Sequence, residues 1–172
     1  MISTNKSILL SVGKVSFTTI FGNNQNSLAE FTLRLLRGSS ELKHLLSHSL
    51  GMSTFRTFLR KSVAEENLDF WIAANEFRTS SQGKDWMKTR AEEIFGQYCK
   101  ESSEHQVNLP CSMRSSLQKA IEECDFIKDD LFTPSIDEIY RLLERDNYAR
   151  FKRSPEFNEF FKCLGILIED NI

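Results

Sequence analysis

Between Glu41 and Gly165, apolar residues recur at intervals of three and four, and each run of them reads as one face of a helix. Phe70, Ala74 and Phe77 share one such face while Leu68, Trp71 and Ile72 load the neighbouring one, so this helix is expected at the centre of the fold. Ser62 followed by Glu65 matches a capping box, in which a hydroxyl and a carboxylate satisfy backbone N–H groups left over at a helix start. Trp86, Ile94, Phe95 and Tyr98 mark the next helix, and Met113, Leu117, Ala120 and Ile121 a shorter one after a turn at Pro110. Thr133 and Pro134 predict an N-cap and first-turn proline ahead of Ile136, Ile139, Tyr140, Leu142 and Leu143. Ser154 and Pro155 repeat the device before Phe157, Phe160 and Phe161, and Gly165 is the predicted stop. No run in this interval reads better as a strand, and there is no internal repeat. The class is all-α.

Residues 1 to 38 follow another pattern, rich in Ser, Thr and Asn, with a weak two-residue alternation of Val15, Phe17, Thr19 and Phe21 before the polar run GNNQNS. They are expected to form a flexible or weakly ordered extension, with one helix through LAEFTLRLLR. The domain proper is expected over 39 to 166, followed by a tail from 167 to 172. The apolar stretch from Ile8 to Phe21 is broken by Gly13 and Lys14 and falls short of the roughly 20 apolar residues that span a bilayer, so neither a signal peptide nor a transmembrane helix is expected. With neither an amino-terminal cysteine nor a Met-Gly start, no lipid anchor is expected there.

Composition narrows the function classes. A chain of 172 residues with 40% hydrophobic content is the size of one domain, and roughly 70% of the unfolded surface can be buried at this length, so no disulfide or metal is needed to hold it. Its fourteen Phe are expected to dominate the core. The charge of −2 comes from interleaved acids and bases, which disfavours a nucleic-acid binder that must neutralise several phosphates. Cys99, Cys111, Cys124 and Cys163 contain no CxxC pair and no dense disulfide framework, so reduced thiols in a cytosolic compartment are expected. Asn5, Lys6 and Ser7 form a glycosylation sequon that the same reasoning leaves silent.

A search for catalytic chemistry returns little. There is no GxGxxG or GxxxxGK[ST] loop to cradle a phosphate and no GxSxG elbow to present a nucleophile. His44 and His48 have the four-residue spacing of a helical metal pair but lack the glutamate of HExxH, so they read as two histidines on a helix flank, and neither a metal nor a cofactor is expected.

What remains are three short polar clusters: Glu65, Glu66 and Asn67 in AEENLDFW; Asn108 in VNLP; and Asp146, Asn147 and Arg150 in LLERDNYARF. Each has a bland explanation. Acids at a helix start complement the dipole, Asp146 and Arg150 form a solvated i,i+4 pair worth about 0.3 kcal/mol, and Asn108 begins a turn. If the clusters converge, they make a polar surface that grips a partner.

Together with their settings they carry a resemblance. FRTFLRKSVAEENLDFWIAANEFR, then VNLP, then IYRLLERDNYARFKRSPEF, in this order and at these separations, resemble the signature of the regulator of G-protein signalling (RGS) domain over roughly Glu41 to Gly165. The resemblance implies a two-lobed, all-helical bundle and a GTPase-activating protein for heterotrimeric G-protein α subunits, acting as a cytoplasmic monomer recruited to the inner face of the plasma membrane. It implies that Glu66, Asn67, Asn108, Leu142, Asp146, Asn147 and Arg150 face the α subunit's switch loops, with Asn108 beside the glutamine that orients the attacking water. Leu142, Asp146 and Arg150 fall at i, i+4 and i+8, which sets an apolar contact, an acceptor and a donor on one helical face. No residue of this chain is expected to be catalytic. Where many members carry an acidic residue, a tyrosine and a serine, this chain has Ser62, Val63 and Ala64, so a hydroxyl or ring contact is expected to be missing. A scaffold on the same fold that binds without accelerating hydrolysis is the alternative, and a hydrolytic or metal enzyme the distant third.

Overall fold

A computed structural model of the chain describes residues 42–124 and 126–163. The helix expected through LAEFTLRLLR, the 1 to 38 extension, the stop at Gly165 and the tail lie outside the described residues.

Among the described residues seven helices follow one another: α1 Leu42–Leu46, α2 Ser49–Lys61, α3 Glu65–Thr79, α4 Lys84–Ile94, α5 Cys111–Glu123, α6 Thr133–Leu142 and α7 Pro155–Cys163. Two of them run on in wider, π-helical turns, α4 through Phe95–Cys99 and α6 through Leu143–Tyr148, after which α6 closes with Ala149–Phe151. There is no strand among the described residues, as the three- and four-residue periodicity requires.

By packing, the chain divides into two compact units. The larger is Phe55–Lys152. Its core is built on α3, where Leu68, Phe70, Ala74 and Phe77 are fully buried while Trp71 and Ile72 are half-buried, so the second apolar face is only partly covered. Phe132 sits edge-on against both Phe70 and Phe77, with centroids 6.2 and 5.3 Å away, and Phe70 meets Tyr98 at 6.0 Å. A second aromatic cluster joins α2 to the end of α6, where Phe55 packs edge-on against Tyr148 and Phe151, and Phe58 lies 5.4 Å from Phe151. Edge-to-face pairs of this kind add about 0.5–1.5 kcal/mol each beyond the area they bury.

Described residues 42–54 and 153–163 belong to the other unit. Leu42, Leu45, Phe160 and Phe161 are buried there, and Gly51 is required where α2 crosses α1, since a Cβ on it would stand 2.5 Å from the Leu45 carbonyl oxygen. Ser154 caps α7 as expected: its Oγ accepts from the Phe157 N–H at 3.3 Å.

Three local expectations need correcting. The capping box at Ser62 does not form, because α3 begins at Glu65 after a turn at Ser62–Val63, and the Glu65 carboxylate is held by Arg60 and Arg56. Thr133 is the first residue of α6 rather than its cap, because the Phe132 carbonyl already accepts from the Ile136 N–H at 2.8 Å. His44 and His48 do not share a helix; α1 ends at Leu46, and His48 lies in the turn before α2. No cluster of His, Cys, Asp or Glu among the described residues could hold a metal ion, and no helix among them is long and apolar enough to cross a membrane.

Candidate functional site

All seven residues singled out in the sequence fall in the larger unit, on three segments that the aromatic core ties together. α3 and α6 pack side by side and run antiparallel, since Phe77 meets Phe132 near one end and Trp71 meets Tyr140, at 6.2 Å, further along. The first turn of α3, with Glu66 and Asn67, is thereby set beside the later turns of α6, where Leu142, Asp146, Asn147 and Arg150 reside. The third segment joins through Tyr98, whose ring packs on Phe70 of α3 and whose carbonyl accepts from the Val107 N–H at 2.9 Å. Asn108 is the next residue.

Local chemistry explains how Asn108 is presented. Val107 is fully buried and Leu109 is 2% exposed, while Asn108 between them is exposed. The Leu109 N–H donates to the Val107 carbonyl at 2.9 Å, a three-residue turn that throws the intervening side chain outward. Pro110 then ends this loop and leads into α5. Two apolar anchors and a tight turn thus hold one amide out toward solvent, where it makes no hydrogen bond among the described residues. It is able both to donate and to accept.

On α6, Asp146 and Arg150 are exposed and linked, Arg150 donating to Asp146 at 3.5 Å, while the guanidinium lies 6.0 Å from the Phe58 ring. Their exposure leaves both heads available to a partner. Leu142 is half-buried just before the π-helical stretch, and Asn147 within that stretch is only 3% exposed. The wider turns alter the i, i+4, i+8 register assumed for a uniform α-helix. π-helical turns of this kind recur at functional positions because they rotate side chains away from that register.

On α3, Glu66 is half-buried and accepts from the Asn67 amide at 3.2 Å. Asn67 is 6% exposed, and its side-chain oxygen is buried without a hydrogen-bond partner. A buried unpaired amide oxygen costs about 1–3 kcal/mol, so stability alone does not account for asparagine here. Asn67 and Asn147 therefore differ from the surface residues that the clusters suggested, whereas Asn108, Asp146 and Arg150 lie open.

Periodicity alone did not reveal the turn that precedes α3. Val63 there has φ 51, in the left-handed region that β-branched residues avoid, and its side chain is 87% exposed. The charge pattern of Arg56, Arg60, Glu65 and Asp69, two bases four apart followed by two acids four apart, was the signal that could have located it. These four side chains link α2 to α3 across the turn. The Arg60 hydrogen bonds hold the Glu65 carboxyl below its ordinary range, opposed by burial and aided by the Arg56 hydrogen bond and the charges of both arginines.

Comparison with known proteins decides the family. The model of the regulator of G protein signaling domain matches residues 41–160, most of the chain. The chain belongs to the RGS family. This RGS domain is similar to regulator of G-protein signaling 8 from Rattus norvegicus, 32% identical over 144 residues that cover 82% of this chain and 77% of that protein. It is also similar to regulator of G-protein signaling rgs-7 from Caenorhabditis elegans, 30% identical over 163 residues, where it spans only 20% of the longer relative. With regulator of G-protein signaling 10 from Mus musculus it shares 33% identity over 119 residues, 69% of this chain and 63% of that protein. The all-helical fold agrees with this membership, and with it comes the family's general role in regulating G-protein signalling.

Proposed function

We propose that this RGS domain is a GTPase-activating protein for heterotrimeric G-protein α subunits, acting as a monomer in the cytoplasm and reaching the inner face of the plasma membrane through its partner. Glu66, Asn67, Asn108, Leu142, Asp146, Asn147 and Arg150 form the surface that receives the switch loops. The observation that supports this most is Asn108, an exposed amide held between buried Val107 and Leu109 on a loop anchored through Tyr98 to α3. Such an amide steadies a partner glutamine without adding charge.

The chemistry needs no reactive group from this chain. Phosphoryl transfer depends on positioning and on electrostatic stabilisation, and an α subunit carries its arginine, magnesium and glutamine itself. A partner that binds the transition-state arrangement of the switches more tightly than the GTP ground state lowers the barrier by that difference. A hundredfold acceleration requires about 2.7 kcal/mol, which a few well-placed hydrogen bonds supply. Arg150, engaged with Asp146 and lying beside Phe58, acts in contact and orientation rather than as an arginine finger.

Single-turnover GTP hydrolysis by a panel of purified α subunits, with and without the domain, tests the proposal. Faster hydrolysis by at least one of them is expected. Binding to α subunits with no change in rate would instead establish a scaffold.

A further inference from the structure

The connection between α2 and α3 is a strained turn held by a cluster of charges. At its apex Val63 takes φ 51, and the Ala64 N–H donates back to the Leu59 carbonyl at 3.0 Å while the Val63 N–H donates to the Arg60 carbonyl at 3.3 Å. This pattern closes a helix through a left-handed residue, and the position normally belongs to glycine. With valine there, the turn is unfavourable by itself and persists only where its surroundings over-determine it.

The charges do so from both sides. Arg60, in the last turn of α2, grips Glu65 at the start of α3 with two bonds, Nε to Oε2 at 2.9 Å and a terminal nitrogen to Oε1 at 2.6 Å. Arg56, one helical turn earlier, donates to the same Glu65 carboxylate at 3.2 Å and also to Asp69, one turn further along α3. Two parallel bonds from a planar guanidinium fix direction as well as distance. The carboxylate so held belongs to the residue directly before Glu66 and Asn67.

We infer that Arg60, Glu65 and Arg56 are positioning residues, a clamp that holds the Ser62–Ala64 turn with Val63 in its left-handed conformation and so fixes Glu66 and Asn67 for the partner in advance of docking. The inference rests on the proposed function. In solution the pairs are exposed or half-exposed, Arg60 at 67%, so their contribution to global stability is small. Their effect is on the order of one segment. A loosened turn must be re-ordered at each encounter, which weakens binding while leaving the rate of the assembled complex unchanged.

The test combines three readouts on the full chain. In Glu65→Gln, the concentration needed for half-maximal GTPase acceleration is expected to rise about fivefold or more, the plateau rate to stay within about twofold, and the melting temperature to be nearly unchanged. Amide exchange at Val63 and Ala64 is expected to quicken about tenfold. The exchanged pair, Arg60→Glu with Glu65→Arg, is expected to recover only part of the lost affinity, because the attraction between positions 60 and 65 is restored while Arg56 then faces a like charge at position 65. Unchanged exchange in Glu65→Gln overturns the clamp itself. Faster exchange with unchanged half-maximal concentration overturns the positioning role, as does a fall in melting temperature that accounts for the whole loss. If the unaltered domain accelerates no α subunit, the functional reading and the positioning role fall together, and the exchange readout still decides whether the clamp exists.

Discussion

Replacing Asn108 by alanine separates the site from the scaffold more cleanly than any other single change. The side chain is exposed and makes no hydrogen bond among the described residues, and the turn beneath it is held by backbone bonds and by the buried Val107 and Leu109. Truncation therefore removes no core contact, and stability is expected to stay within about 0.5 kcal/mol of the unaltered domain. In the complex the same truncation strands a desolvated partner amide, which costs about 1–3 kcal/mol. That corresponds to a loss of GTPase acceleration of about five- to 150-fold. Single-turnover hydrolysis at saturating and sub-saturating domain, with thermal melting on the same samples, measures both sides of the claim. Undiminished acceleration in a folded Asn108→Ala domain would refute the assignment. Leu109→Ala is the control: its buried side chain predicts a loss of about 2–5 kcal/mol in stability.

Other predictions follow from the same geometry. Asp146→Ala is expected to lower acceleration with normal helicity by circular dichroism, since its side chain is exposed and its ion pair to Arg150 at 3.5 Å adds little to the fold. Asn67→Leu removes a buried, unpaired oxygen, so denaturant unfolding should show stability unchanged or raised while GTPase acceleration falls. Burial pushes the Cys99 thiol up to about 12, opposed weakly by Arg114, so at pH 8 a thiol reagent should modify Cys111, Cys124 and Cys163 in the native protein and reach Cys99 only in denaturant. The lowered Glu65 carboxyl contributes stability above its ordinary value of 4.5, so protection of the Ser62–Ala64 turn from amide exchange should fall as pH drops below 4.5 and be lost beneath the folded-state value.

The helices were readable because each buries one apolar stripe, and a stripe repeats in the sequence at the period of the helix. Phe70, Ala74 and Phe77 announced α3, and Phe157, Phe160 and Phe161 announced α7, each near its true span. Helix starts were less legible. A hydroxyl three residues before an acid resembles a capping box, yet Glu65 had a stronger partner in Arg60, and a charge-assisted pair outcompetes a neutral cap. The left-handed Val63 leaves no mark in a hydrophobicity pattern, because strain is supplied by the surroundings rather than by the residue. For the site, the residues that reach solvent, Asn108, Asp146 and Arg150, were named correctly as exposed, while the burial of Asn67 and Asn147 depends on how α3 and α6 pack and on the π-helical turns of α6. The sequence places Asn67, Asp146, Asn147 and Arg150 on helices and Asn108 in a turn; only the packing decides how far each one protrudes.

The central claim is that the domain recognises one arrangement of the switch loops and supplies no reactive group. Equilibrium binding to a single α subunit held in three states, with GDP, with a non-hydrolysable GTP analogue and with GDP plus a planar phosphoryl mimic, addresses it directly. The mimic-bound state is expected to bind most tightly, by about a hundredfold over the GTP-analogue state if the domain accelerates hydrolysis to that extent. Equal affinity for all three states would contradict the account.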